Sequence, residues 1–296
     1  MTVESTTGGP TVVNYPPPVT GGGTPPITTQ CTIPSGSTFP LGTSDVICTG
    51  TDSATRRASC VFQVQVTFTP KLKGTRFLAF GDSITGGEIG TPALFDTHVD
   101  QVYPAVLMGL MTPRYTSQIL SMTNCGRYGE TSEAGQDRLR SVLNGGSCGP
   151  LIPAGARKLS TGLFDVLLLL EGTNDLNQTI PISRTREALR TDIRNAKSAG
   201  VLQVFLSTVP PNFIASSDSV VALNDQIRSL AASENVVLID SYTALGGASS
   251  TLIGKDGIHP TAAGQQIMAQ TFFTAIQANF EVPPGTTTPA GLRGRR

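Results

Sequence analysis

The chain has no tryptophan and only two histidines among its 296 residues. Structural zinc needs four N or S ligands, commonly with a Cys-x-x-Cys pair. No such pair occurs among the five cysteines, and only His98 and His259 could join them, so zinc is a poor fit. An excess of either charge is also missing, because 21 basic residues balance 21 acidic ones. The chain therefore lacks the basic footprint that draws proteins to nucleic acid or to anionic membranes. The Arg-Gly-Arg-Arg end at 293–296 reads as a solvated tail. No apolar run nears the roughly 20 residues of a membrane span. Val166–Leu170 is far shorter and reads as a buried strand. Met1–Pro10 has neither the basic start nor the apolar middle of a secretory signal.

Composition changes along the chain. Residues 1–26 are rich in Thr, Gly and Pro, including Pro16–Pro18 and Gly21–Gly23, and are expected to form a disordered linker. Residues 27–70 are expected to form a small β module. Segments 46–52 and 60–68 read as strands, and Phe62, Val64, Val66 and Phe68 alternate onto one face. Cys31, Cys48 and Cys60 fall here, where a small core gains most from a cross-link. An odd total leaves at least one thiol unpaired in a monomer. From 75 to 281, strands and helices alternate. Strands are expected at 76–80, 118–123, 165–170, 202–209 and 236–240, and helices at 184–199 and 261–280. Several strands have near-continuous apolar centres, as parallel strands covered on both faces do. The expected fold is α/β, a doubly wound, mostly parallel five-stranded sheet flanked by helices, with its site at the carboxyl ends of the strands. Residues 282–296 are expected to be a disordered tail.

Four segments carry candidate chemistry. Gly81-Asp82-Ser83 follows the apolar run Phe77–Phe80, which puts a serine at the tip of a strand. A hydroxyl there needs a base to become a nucleophile. His259 is the better candidate, since Asp256 lies three residues before it and the pair opens the last helix. His98 has no strand end beside it. Asp256 is placed to hold one ring nitrogen and stabilise the imidazolium. An ester transition state also needs donors for its oxyanion. Asn124–Thr131, with glycines at 126 and 129, and Glu171-Gly172-Thr173-Asn174-Asp175 each follow an expected strand. Gly145-Gly146-Ser147-Cys148-Gly149 fits the G-x-S-x-G elbow, but no apolar strand precedes it, so it is set aside. Cys148 is expected to pair with Cys125.

Taken in order, these four segments resemble the SGNH (GDSL-type) hydrolase family. The matching blocks are Gly81-Asp82-Ser83, the glycine block ending at Gly129, Gly172-Thr173-Asn174-Asp175, and Asp256-Gly257-Ile258-His259, with Ile84 where Leu is usual. The resemblance implies the SGNH hydrolase fold, Ser83 as nucleophile, His259 as base and Asp256 as its orienter. It further implies an oxyanion hole from the Ser83 and Gly129 N–H groups and the Asn174 side chain, with Gly126 also within reach. Upstream, Cys31, Pro34–Pro40, Val46, Cys48, Thr51-Asp52 and Cys60–Val64 resemble the C-terminal part of a hyalin-repeat (HYR) module, an Ig-like β-sandwich. The combined expectation is a secreted serine esterase working through an acyl-serine, with no metal or organic cofactor. Short-chain acyl esters or acetyl esters on carbohydrate are the favoured substrates, as small molecules or linked to polysaccharide. Tyr103, Tyr115, Tyr128 and Phe213 are candidates for stacking against a sugar. The alternatives are a lipase, lysophospholipase or thioesterase of the same family, or an inactive extracellular binding protein.

Overall fold

A computed structural model describes residues 1–149 and 163–282. The chain divides into two compact units, one built on Met1–Lys71 and the other on Leu72–Glu281. The expected tail at 282–296 falls almost wholly outside the described residues.

The first unit holds β1 (Thr2–Glu4), β2 (Thr11–Val13), β3 (Thr28–Cys31), β4 (Ser37–Phe39), β5 (Gly42–Thr51) and β6 (Arg57–Thr67). Its main sheet runs β1-β6-β5-β3, and β2 pairs with β4. The expected linker over 1–26 is therefore corrected, because this stretch supplies β1 and β2. The Gly and Pro content masked two short β-branched segments that find partners elsewhere: Val3 aligns with Val66, and Val12 with Thr38. Val13 and Tyr15 are buried with Phe39, Val46, Cys48, Val64 and Val66 in one small core. A disulfide joins Cys31 to Cys48 across adjacent strands. Cys60 aligns with Cys48 from the other side and is an exposed free thiol.

The second unit contains β7 (Arg76–Gly81), α1 (Ser83–Gly86), β8 (Glu88–Gly90), β9 (Phe95–Thr97), α2 (Tyr103–Met111), β10 (Ser121–Gly126) and α3 (Ser132–Leu143). It continues with β11 (Val166–Leu170), α4 (Thr173–Asn177), α5 (Ile182–Ser198), β12 (Gln203–Ser207), α6 (Ser217–Ser233), β13 (Val237–Ile239), α7 (Ser241–Ala244) and α8 (Ala262–Phe280). The sheet order is β10-β7-β11-β12-β13, and every pairing is parallel. Strand residues alternate between the two faces. Leu78, Phe80, Leu167 and Leu169 enter a core with residues of α3, α5 and α6. Phe77, Ala79, Val166, Leu168 and Leu170 enter another with residues of α2 and α8. Burial on both faces explains why β11 reads Val-Leu-Leu-Leu-Leu.

One strand lies later than expected. The spacing predicts 118–123, whereas β10 covers Ser121–Gly126. Parallel register with β7, from Ser121 opposite Arg76 to Gly126 opposite Gly81, fixes its limits. Ile119, apolar in sequence, is 94% exposed, and Gln118 uses its side chain to bind both backbone groups of Leu72. Asn124, Cys125 and Gly126 thus belong to the strand, not to the loop after it. Cys125 is bonded to Cys148, as expected. Gly145–Gly149 follows α3, so the G-x-S-x-G string has no strand before it.

Candidate active site

The turn after β7 creates the first part of the site. Asp82 caps α1, and its Oδ1 accepts the Ile84 N–H at 2.9 Å. Ser83 is the first helical residue, so its own N–H has no intrahelical acceptor. Close packing fixes α1 in place. Asn124 donates to the Thr85 carbonyl at 2.7 Å, and Gln265 of α8 donates to the Ile84 carbonyl at 3.2 Å. Gly126 passes so near Gly86 that a Cβ on it would sit 2.1 Å from the Gly86 nitrogen. Asp82 is wholly buried, and this burial pushes its carboxyl up from 3.8 to about 7 against the pull of the Ile84 N–H.

The fold brings three distant side chains into one line. Ser83 Oγ lies 2.8 Å from His259 Nε2, and His259 Nδ1 lies 2.6 Å from Asp256 Oδ2. The carboxylate also accepts the Ile258 and His259 N–H groups through Oδ1, at 3.0 and 3.1 Å, which locks the loop around it. Ser83 and His259 are each only 6% exposed. Burial lowers the proton affinity of the ring, but its hydrogen bonds to the Glu88 and Asp256 carboxylates outweigh this, and His259 is raised above its ordinary 6.5. His98 is not part of this line: its ring pairs with Asp96 on β9, and its N–H donates to the Gly87 carbonyl at 2.7 Å.

The remaining two blocks meet each other past the ends of β10 and β11, the strands on either side of β7. Arg127 donates to the Gly81 carbonyl at 2.9 Å and carries the following turn over the end of β7. Gly129 sits in that turn with φ +71°, exposed, and the space where a Cβ would go is open. Asn174, in α4, donates through Nδ2 to the Glu130 carbonyl at 2.9 Å, which leaves its second amide hydrogen available. The Gly126 N–H is taken by the Asn124 side chain. Gly129 is therefore the better placed of the two candidate glycines.

A buried ion pair and a buried, hydrogen-bonded carboxylate hold this arrangement. Arg138 Nε lies 2.9 Å from Glu130 Oε1, its guanidinium stacks 3.9 Å above the Phe80 ring, and it also donates to the Cys125 carbonyl. Asp175 accepts the Ser132 N–H and the Thr185 hydroxyl, both at 2.9 Å, tying α4 to α3 and α5.

Residues 79–267 match the profile of the GDSL-like lipase/acylhydrolase family. The chain belongs to that family. Solved structures agree on its fold. The lipase/acylhydrolase from Enterococcus faecalis superposes with a TM-score of 0.54 at 20% identity, covering 72% of this chain and 100% of that one. The acetylxylan esterase Axe2 from Geobacillus stearothermophilus gives 0.52 at 20% identity, over 69% and 94%. TesA gives 0.54 at 20%, over 68% and 98%. Residues 9–66 match the HYR domain, which starts further upstream than the sequence reading placed it. No curated protein matches the chain.

Several features of this GDSL hydrolase were invisible in its sequence. Glu88 Oε2 stands 2.9 Å from His259 Nε2, and the Phe95 ring lies 5.3 Å from the imidazole, centroid to centroid. Both come from the β8–β9 hairpin, which carries no recognisable motif. Of the four aromatic candidates, Tyr103 and Tyr115 are fully buried and unavailable to a sugar. Tyr128 and Phe213 are exposed. Among the described residues, no three His, Cys, Asp or Glu side chains are grouped to hold a metal ion, and no helix is long and apolar enough to cross a membrane.

Proposed function

We propose that this protein is a serine esterase that cleaves carboxylic esters through an acyl-Ser83 intermediate. The observation that carries the reading is the continuous relay Ser83 Oγ, His259, Asp256, with links of 2.8 and 2.6 Å. His259 takes the Ser83 proton on Nε2 as Oγ attacks the ester carbonyl. Asp256 keeps the other ring proton on Nδ1 and stabilises the imidazolium. The carbonyl oxygen becomes an oxyanion, which the Ser83 N–H, the Gly129 N–H and the Asn174 amide receive. The Nε2 proton then goes to the departing alcohol. Water repeats the sequence against the acyl-serine and frees the acid.

Short acyl chains and acetyl groups on carbohydrate are the favoured substrates, supported by the likeness to Axe2 and by the exposed rings of Tyr128 and Phe213. A second reading, towards longer acyl chains, draws on apolar side chains near the site. Phe95 lies over the His259 ring, and Phe213 and Ile214 pack on Gly257. The HYR match supports an extracellular setting, since that domain is typically extracellular.

The test is hydrolysis of p-nitrophenyl esters from acetate to palmitate. Ser83→Ala is expected to abolish turnover and fluorophosphonate labelling while circular dichroism stays unchanged. Retained turnover would overturn the assignment of Ser83. A rate maximum at long chains would favour the second reading. A wild-type protein that neither labels nor turns over would favour a binding protein.

A further inference from the structure

His259 Nε2 has two partners where one is expected. Ser83 Oγ is 2.8 Å away and Glu88 Oε2 is 2.9 Å away. A ring nitrogen offers one in-plane position, a lone pair when neutral or an N–H when charged. With the ring neutral and its proton on Nδ1 towards Asp256, the Nε2 lone pair can accept from Ser83. It then has nothing to offer a carboxylate, and the two face each other unfavourably. The contact is favourable only when one extra proton lies between Glu88 and Nε2. An imidazole holds a proton more strongly than a carboxyl does, so that proton belongs to the ring.

Glu88 is held in this place. It opens β8, its backbone aligns with Thr97 of β9, and its side chain is 14% exposed. The hairpin is docked on the segment that carries His259. The Gly90 N–H donates to the Pro260 carbonyl and the Gly254 N–H to the His259 carbonyl, both at 2.9 Å. The backbones of Gly90 and Gly254 touch, and a Cβ on Gly90 would lie 2.2 Å from the His259 oxygen. Phe95 of β9 faces the imidazole ring.

We propose that Glu88 is a positioning residue of this site, which competes with Ser83 for His259 Nε2 and keeps the imidazole protonated until the pH rises. The inference rests on the esterase reading. At low pH the imidazolium bridges Glu88 and Asp256 and cannot take the serine proton. Loss of the Nε2 proton frees the lone pair for Ser83. During attack the same carboxylate stabilises the imidazolium that forms. Glu88 thus raises the pH at which the base becomes available and lowers the barrier once it is. The charged groups in contact with the ring are Asp256 from its own loop and Glu88 from β8, and Asp82, buried in the turn before α1, feels the charge of the ring without touching it. Asp82 is common to every variant compared below.

With only two histidines, ring titrations can be followed directly by NMR, the His98 signals being assigned with His98→Gln. In Glu88→Gln, the His259 midpoint and the acidic limb of kcat/KM are expected to fall together by about one pH unit. The rate at high pH is expected to fall as well. Glu88→Asp, charged but shorter, is expected to lie between wild type and Gln. Glu88→Ala is read in the same way if the Gln variant fails to fold. An unmoved His259 midpoint in either folded neutral variant would overturn the proposal. A wild type without turnover would instead defeat the esterase reading, while the NMR midpoint still tests the Glu88 contact.

Discussion

Among the described residues, two buried acids have no counter-charge in contact. Both oxygens of Glu171 and both of Asp192 are buried without a hydrogen-bond partner among the described residues. Burial, reinforced by the charges of Asp82 and Glu130, holds Glu171 well above its ordinary 4.5 and favours its protonated form in the folded state. The unfolded chain ionises it near 4.5. Its contribution to stability is therefore complete below that pH and is lost as pH rises towards the folded value. Glu171→Gln removes this loss. The variant is expected to gain stability over wild type between pH 5 and 8 in urea titrations, with little difference at pH 4. Ser83, Asp256 and His259 were legible because each lies in a short string whose residue types suit one reaction. Glu88, Glu130 and Arg138 were not. Their roles depend on contacts such as Glu130 with Arg138, and a charged residue in a sequence gives no sign of being buried.

At the scale of elements, the site depends on how tightly α1 is pressed against β10. Gly126→Ala would place a methyl 2.1 Å from the Gly86 nitrogen and 2.3 Å from its Cα. The helix must shift, carrying Ser83 with it. A displacement near 1 Å costs about 10²-fold in rate, so kcat for p-nitrophenyl acetate is expected to fall by that order while the protein remains folded. β11 and α8 were readable because their patterns are strong, a continuous apolar run in one and residues such as Met268, Phe272 and Ile276 facing the core in the other. β10 slipped by three residues because register with β7 sets its limits, and no local signal reports register. β1 and β2 were hidden for a related reason, since each is short and is stabilised only by a remote partner.

Among the described residues, the buried apolar side chains form three clusters. Val13, Phe39, Val46 and Val64 form one cluster, and none of them appears in the two clusters flanking the larger sheet. Phe39 is completely buried, and Phe→Ala at such a site costs about 3–5 kcal/mol. Phe39→Ala is expected to speed hydrogen exchange and proteolysis within residues 1–71 and to leave hydrolysis of p-nitrophenyl acetate intact. Five strands running the same way have a further consequence. The tips of β7, β10 and β11 open towards one rim, where Ser83, Gly129 and Asn174 stand, while the apolar stripes that keep the sheet together lie behind them. Mutational drift can therefore remodel the walls of the mouth, and with them the choice of substrate, while the supporting frame is inherited unaltered.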